Sequence, residues 1–158
     1  MLSAYNWLSK NNMLTIADAL EALTNFRPKS VTVITEAVID SRQVIPGSLF
    51  VAIPGERMDG HDFIDEAFKR GASFALIQKD TDASFRTFDL RTVTSADSFT
   101  GQDLPTPLCL RVENTVTALQ QIARFWRRKL DLRVIGITGS VGKSTTKEMV
   151  AEVLSTRY

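Results

Sequence analysis

Residues 136–146 read GITGSVGKSTT, a run that concentrates the residue types suited to holding phosphate. A nucleoside triphosphate carries several negative charges and needs many donors at close range. A glycine-containing turn can aim successive backbone N–H groups inward, because glycine has no side chain to block the approach or restrict φ. A helix that follows adds its unpaired N-terminal N–H groups and the positive end of its dipole. On this reading Gly139, Ser140, Val141, Gly142, Lys143, Ser144 and Thr145 wrap the phosphates of ATP. Lys143 would be the catalytic cation against the β- and γ-phosphates, and the Ser144 hydroxyl would ligate Mg²⁺. The strict spacing G-x-x-x-x-G-K-S/T is not met: it asks for glycine where Ile137 stands, and the nearest glycines are Gly136 and Gly139. Context favours the phosphate loop over an ordinary glycine-rich turn. An apolar run at 132–138 reads as a strand before it, and 144–155 reads as a helix burying Met149, Val150, Val153 and Leu154.

A second group with chemistry is Asp40-Ser41-Arg42, whose neutral and charged donors suit a diphosphate. Taken alone, Arg42 reads better as a surface or ion-paired arginine than as a ligand residue. His61, in Asp59-Gly60-His61, is the single histidine and reads as part of a turn leading into a helix, with Asn114-Thr115 as a helix cap. The single cysteine, Cys109, excludes an internal disulfide and a cysteine-based zinc cluster; within Leu108-Cys109-Leu110 it reads as a small core residue. One histidine likewise excludes a histidine-rich metal site. A net charge of +1 gives no global argument for nucleic acid or an anionic membrane. Arg124, Arg127, Arg128 and Lys129 read as a solvated face that complements a helix dipole.

The elements that must position these residues follow from periodicity. The 158 residues, 44% hydrophobic and 23% charged, have the size and make-up of one soluble globular domain. Residues 1–12 are polar and irregular. Thr15 is a plausible N-cap for a helix carrying Ile16, Ala19, Leu20 and Leu23, closed by Pro28. Residues 31–39 read as extended, and Pro46-Gly47 as the centre of a type II turn. Residues 49–53 read as a buried strand, 62–70 as a short helix burying Phe63, Ile64, Ala67 and Phe68, with Gly71 as its left-handed cap, and 74–77 as another strand. Residues 79–107 are polar with weak strand signals. Residues 108–112 read as a strand and 114–130 as a helix with Val116, Leu119, Ile122, Ala123, Trp126 and Leu130 on its apolar stripe. No apolar run approaches the roughly 20 residues of a membrane helix, and no signal peptide is evident, so the expected location is the cytoplasm.

Two independent patterns resemble the Mur ligases, the ATP-dependent amide-forming enzymes of bacterial peptidoglycan synthesis. Thr138–Thr145 fits that family's loop T-G-S/T-x-G-K-S/T-T, including its departure from the general spacing. The longer pattern is Asp40-Ser41-Arg42, residues 46–52, Gly55, residues 59–64, Ala67 and Gly71-Ala72, which looks like the family's N-terminal domain. Thr146-Lys147-Glu148-Met149 looks most like the members that add D-alanyl-D-alanine; those adding the preceding diamino acid remain the alternative.

The resemblance implies an α/β fold: a small N-terminal domain over 1–130, then the first strand, phosphate loop and helix of a truncated ATP-binding domain over 131–158. It implies that Ser41, Arg42, Glu56, Arg57 and Met58 hold the UDP end of a UDP-N-acetylmuramoyl peptide. ATP, Mg²⁺ and D-alanyl-D-alanine are the implied further ligands, and the reaction passes through an acyl phosphate. A strand and a helix do not make a nucleotide-binding domain. The expectation is therefore an N-terminal portion of a ligase, inactive by itself, with a non-catalytic UDP-sugar-binding or interaction module as the alternative.

Overall fold

The computed structural model describes residues 13–81, 84–95, 104–130 and 132–157. These fall into two units, Met13–Lys129 and the residues from Leu130 onward. The readings of 1–12, 82–83 and 96–103 lie outside the described residues.

The first unit is organised on a parallel sheet of β1 (Ala37–Val38), β2 (Leu49–Val51), β3 (Phe74–Ile77), β4 (Thr87–Asp89) and β5 (Leu108–Arg111), in the order β1-β2-β3-β5-β4. Every residue of β2 and β3 is buried, as in strands covered on both faces, which is why they read as unbroken apolar runs. Successive side chains point to opposite faces. Leu49, Val51, Phe74, Leu76, Leu108 and Leu110 pack with α1 (Ile16–Thr24) and α3 (Thr115–Lys129). Phe50, Ala52, Ala75, Ile77 and Cys109 join Ile64 and Ala67 of α2 (Ile64–Lys69) on the other. With α2 between them, β2 and β3 form the expected strand–helix–strand unit.

Local chemistry sets the element ends. Thr15 and Asp18 form a capping box: Thr15 Oγ1 accepts from Asp18 N at 3.3 Å, and Asp18 Oδ2 accepts from Thr15 N at 3.0 Å. Asn25, at φ 63°, ends α1. After α2, Gly71 at φ 103° lets its N–H reach Phe68 O and the Ala72 N–H reach Ala67 O, both at 3.0 Å. Gly47, at φ 87°, closes the type II turn, in which Ser48 N donates to Ile45 O at 3.1 Å.

Several expectations need correction. Of residues 31–39 only Ala37–Val38 pairs as strand, and Val31 is exposed. The 62–70 helix opens with a 3₁₀ turn, Gly60–Phe63, and Phe63 and Phe68 are half-buried. On α3 the buried positions are Thr115, Ala118 and Ile122; Val116 and Ala123 face solvent because the helix is rotated toward α1. In the second unit residues 132–138 form no strand, since among the described residues no neighbour supplies a ladder of backbone hydrogen bonds. For the same reason α4 (Lys143–Ser155) buries none of its expected face: Met149, Val153 and Leu154 are exposed and Val150 is half-buried. No helix among the described residues is long and apolar enough to cross a membrane.

Candidate functional site

Parallel strands release their loops at one end, and the ends of β1 and β2 meet there. Between them and α2 lies a groove of about 680 Å³ lined by Ile39, Asp40, Ser41, Arg42, Phe50, Ile53, Met58, Gly60, Phe63, Glu66 and Arg70. That volume suits a drug-sized or nucleotide-sized ligand. Apolar walls come from β2, its outgoing loop and the 3₁₀ turn before α2. A connected polar set comes from the 3₁₀ turn Ser41–Gln43 and from α2.

Asp40 caps its own turn, accepting from Arg42 N at 3.0 Å, and grips the Arg42 guanidinium through Nε at 3.0 Å and Nη2 at 2.7 Å. That guanidinium, with the Arg42 N–H, holds the Asp40 carboxyl down to about 2. Ser41 is buried and its hydroxyl donates to Glu66 Oε2 at 3.0 Å, while Arg70 Nε donates to Glu66 Oε1 at 2.9 Å. The structure thus gathers Ser41, Arg42 and Met58 at one groove; Glu56 and Arg57 are exposed on the neighbouring loop and do not line it. In this structure the Ser41 hydroxyl proton goes to Glu66. Glu66 and Arg70 fall within the helix expected over 62–70, where the sequence gives them no role of their own. Their spacing of four marked an ion pair, but nothing local tied that pair to Ser41, 25 residues earlier.

The loop bearing Met58 is fixed from behind. Gly55 N donates to Met58 O at 3.1 Å, and Gly60 N to Ile53 O at 2.9 Å. His61 is largely buried, with Nδ1 2.6 Å from Asp59 Oδ1 and Nε2 accepting from Gln78 N at 3.0 Å. An accepting Nε2 places the ring proton on Nδ1, where it donates to Asp59. Lys79 also pairs with Asp59, and Lys79 first, then the His61 N–H and ring, hold that carboxyl well below the usual range. Gln78 Oε1 in turn accepts from Thr115 N at 3.0 Å and Thr115 Oγ1 at 3.1 Å at the start of α3, and Asn114 Oδ1 accepts from Thr117 N at 2.8 Å. His61 is therefore a joint between loop and sheet, and Asn114-Thr115 is a cap.

In the second unit Gly139 (φ 147°) and Gly142 (φ 81°) hold the turn into α4. Gly142 is the N-cap, and no side chain caps the helix start, so the N–H groups of Lys143, Ser144 and Thr145 are left without intrahelical acceptors. Lys143 Nζ donates to Gly139 O, and the side chains of 139–145 are exposed. The donor set of N–H groups, one ammonium and the Ser140, Ser144 and Thr145 hydroxyls fits a polyphosphate. For a bound Mg²⁺ it offers one oxygen ligand of the expected kind, the Ser144 hydroxyl.

A model described as the Mur ligase family, catalytic domain, matches residues 33–127. The UDP-N-acetylmuramoyl-tripeptide–D-alanyl-D-alanine ligase of Bacillus subtilis (strain 168) is 32% identical over 153 residues, covering 94% of this chain and 28% of that protein. A UDP-N-acetylmuramoylalanyl-D-glutamyl-2,6-diaminopimelate–D-alanyl-D-alanyl ligase from Acinetobacter baumannii superposes with a TM-score of 0.65 at 28% identity, over 94% of this chain and 30% of that one. The MurF ligase from Thermotoga maritima in complex with ADP gives 0.57 at 31% identity, over 87% of this chain and 25% of that one. The chain thus spans less than a third of the length of these relatives. The matched residues carry both the sheet and the groove built on it, and the chain belongs to the Mur ligase family.

Proposed function

We propose that this chain holds the UDP end of a UDP-N-acetylmuramoyl tripeptide in the groove beside Arg42, and ATP at residues 139–145. It does so in the service of a ligase that joins D-alanyl-D-alanine to that precursor in peptidoglycan synthesis. The observation that carries this reading is the likeness, along 94% of the chain, to a ligase of that name. Residues 1–130 are the precursor-binding domain in this reading, and residues 131–158 open an ATP-binding domain. The proposed compartment is the cytoplasm, where ATP is available.

Each residue's part follows from its chemistry. Ile53, Met58 and Phe63 give apolar area for the base and sugar, and Arg42 gives a charged fork for the diphosphate. Glu56 and Arg57 stand exposed on the loop that carries Met58, and their polar side chains are offered to the ligand from the groove's edge. At the phosphate loop the N–H groups of Gly142 to Thr145 receive phosphate oxygens. Lys143 exchanges its bond to Gly139 O for the β- and γ-phosphates, and Ser144 would hold Mg²⁺. ATP supplies the phosphoryl group that turns the precursor's carboxylate into an acyl phosphate for attack by the dipeptide amine. The contribution of Lys143 is charge neutralisation and alignment.

Turnover is proposed of the ligase, and binding of these 158 residues. Calorimetry of the chain with UDP-N-acetylmuramoyl tripeptide tests the groove: saturable binding is expected, and its absence would sink the assignment. Phosphate release on adding ATP, Mg²⁺, tripeptide and D-alanyl-D-alanine would show instead that the chain is catalytic alone.

A further inference from the structure

We infer that Arg70 is a second anion-binding residue of the groove, held in place by Glu66, and that with Arg42 it grips the diphosphate of a nucleoside diphosphate. The inference rests on the reading of the groove as the UDP site.

Arg70 and Glu66 line the groove with Arg42 and Ser41. Both Glu66 oxygens are engaged: Oε2 accepts from Ser41 Oγ at 3.0 Å and Oε1 from Arg70 Nε at 2.9 Å. The Arg70 Nη1 reaches the Arg42 carbonyl at 3.5 Å, which brings the second guanidinium to the backbone of the residue bearing the first. A guanidinium has five N–H donors. Arg42 spends its bonds on Asp40 through Nε and Nη2, and Arg70 spends its bonds through Nε and Nη1. Both keep unpaired N–H groups, and both side chains are exposed, 80% for Arg42 and 45% for Arg70. The Ser41 hydroxyl proton goes to Glu66, so the side-chain donors that face outward at this part of the groove are the two arginines. A diphosphate has two phosphorus centres and matches a pair of forks better than one.

The same helix supplies a control. Lys69 pairs with Asp65 at the same spacing of four, with side chains 73% and 58% exposed, and neither residue lines the groove. An exposed pair of this kind contributes little to stability. What distinguishes Glu66–Arg70 is its tie to Ser41 and to the Arg42 carbonyl.

The test is calorimetry of the full chain with uridine, UMP and UDP. For the wild type the affinity should rise along that series. Arg70→Ala should weaken UDP by about tenfold or more and leave uridine within about twofold, as expected for loss of one charge-assisted contact. Arg70→Lys should fall between, since an ammonium keeps the charge but lacks the fork. Glu66→Gln should also weaken UDP, and Lys69→Ala should leave it unchanged. Arg70→Gln, with thermal melts of all variants, guards against misfolding. Unaltered UDP binding by Arg70→Ala, or an equal loss of uridine, overturns this inference alone. Failure of the wild type to bind UDP overturns the groove reading and this inference with it.

Discussion

Asp18 joins three segments of the first unit, and replacing it with alanine should be the most costly single carboxylate change in that unit. The side chain is 6% exposed and accepts from Thr15 N at 3.0 Å, Thr15 Oγ1 at 2.5 Å, Arg27 Nη1 at 2.7 Å and Lys129 Nζ at 2.7 Å. Losing the reciprocal cap costs about 1 kcal/mol. Arg27 and Lys129 are 46% and 37% exposed, so both can rehydrate, and each lost pair costs only about 1 kcal/mol after solvent screening. Alanine returns roughly 0.5 kcal/mol of helix propensity. The net is about 2–3 kcal/mol, a large share of the roughly 5–15 kcal/mol that stabilises a domain. Burial pushes the Asp18 carboxyl up, but the bonds from Lys129, Thr15 and Arg27 outweigh it and hold it well below the usual range. A depressed folded pKa contributes stability that is complete above the unfolded value near ~4 and is lost as pH falls through the folded value. Urea titration followed by circular dichroism at neutral pH should show a midpoint lowered by about 1–2 M in Asp18→Ala. Repeated at descending pH, the variant should have the shallower acid limb. Asp40, Asp59 and Asp89 are also depressed by their partners, so the limb does not vanish. A loss below about 0.5 kcal/mol, or parallel acid limbs, refutes the assignment of Asp18 as the joint between α1, Arg27 and α3.

Two further outcomes follow from packing. A Cβ at Gly60 would lie 2.6 Å from Ile53 N and 2.9 Å from Ile53 O, backbone atoms that a rotamer change cannot move. Gly60→Ala should therefore cost about 1–3 kcal/mol and weaken UDP binding, because the displaced loop carries Met58; an unchanged melting temperature with unchanged UDP affinity contradicts this. Cys109 is fully buried on β5, and burial pushes its thiol up to about 11 against weaker opposing hydrogen bonds. A chromogenic disulfide reagent at mildly alkaline pH should not label the native chain and should label it at once in denaturing guanidinium; prompt native labelling would place the thiol elsewhere.

The sheet was legible because both its faces are covered. Phe74–Ile77 and Leu49–Val51 need apolar side chains at every position, and that demand writes a continuous run. Gly47 and Gly71 were legible for a related reason: each sits at positive φ, and each follows a residue pattern that leaves few other conformations. α3 was legible as a helix but not in its rotation. Val116 and Ala123 are as apolar as Ala118, and only the packing partner α1 decides which of them turns inward. Residues 132–138 mark the limit of the same logic. Their apolar content states a preference for burial in a sheet, whereas a strand is a relation to a neighbour, and pairing is not a property of the segment itself.

The site divides along that line too. Asp40-Ser41-Arg42 was visible because its neutral and charged donors are adjacent in the chain, and the structure adds that Asp40 caps its own turn through Arg42 N. Arg70 was invisible as a groove residue, since a Glu–Arg pair at a spacing of four is common on any exposed helix. Its meaning comes from Ser41, which reaches Glu66 across 25 residues of chain and couples the turn after β1 to α2. That coupling also fixes the Ser41 hydroxyl. In this structure the buried Ser41 hydroxyl gives its proton to a carboxylate and not to the open groove, so its visible part is to anchor Glu66. Through Glu66 it also bears on Arg70, the residue assigned above to the diphosphate.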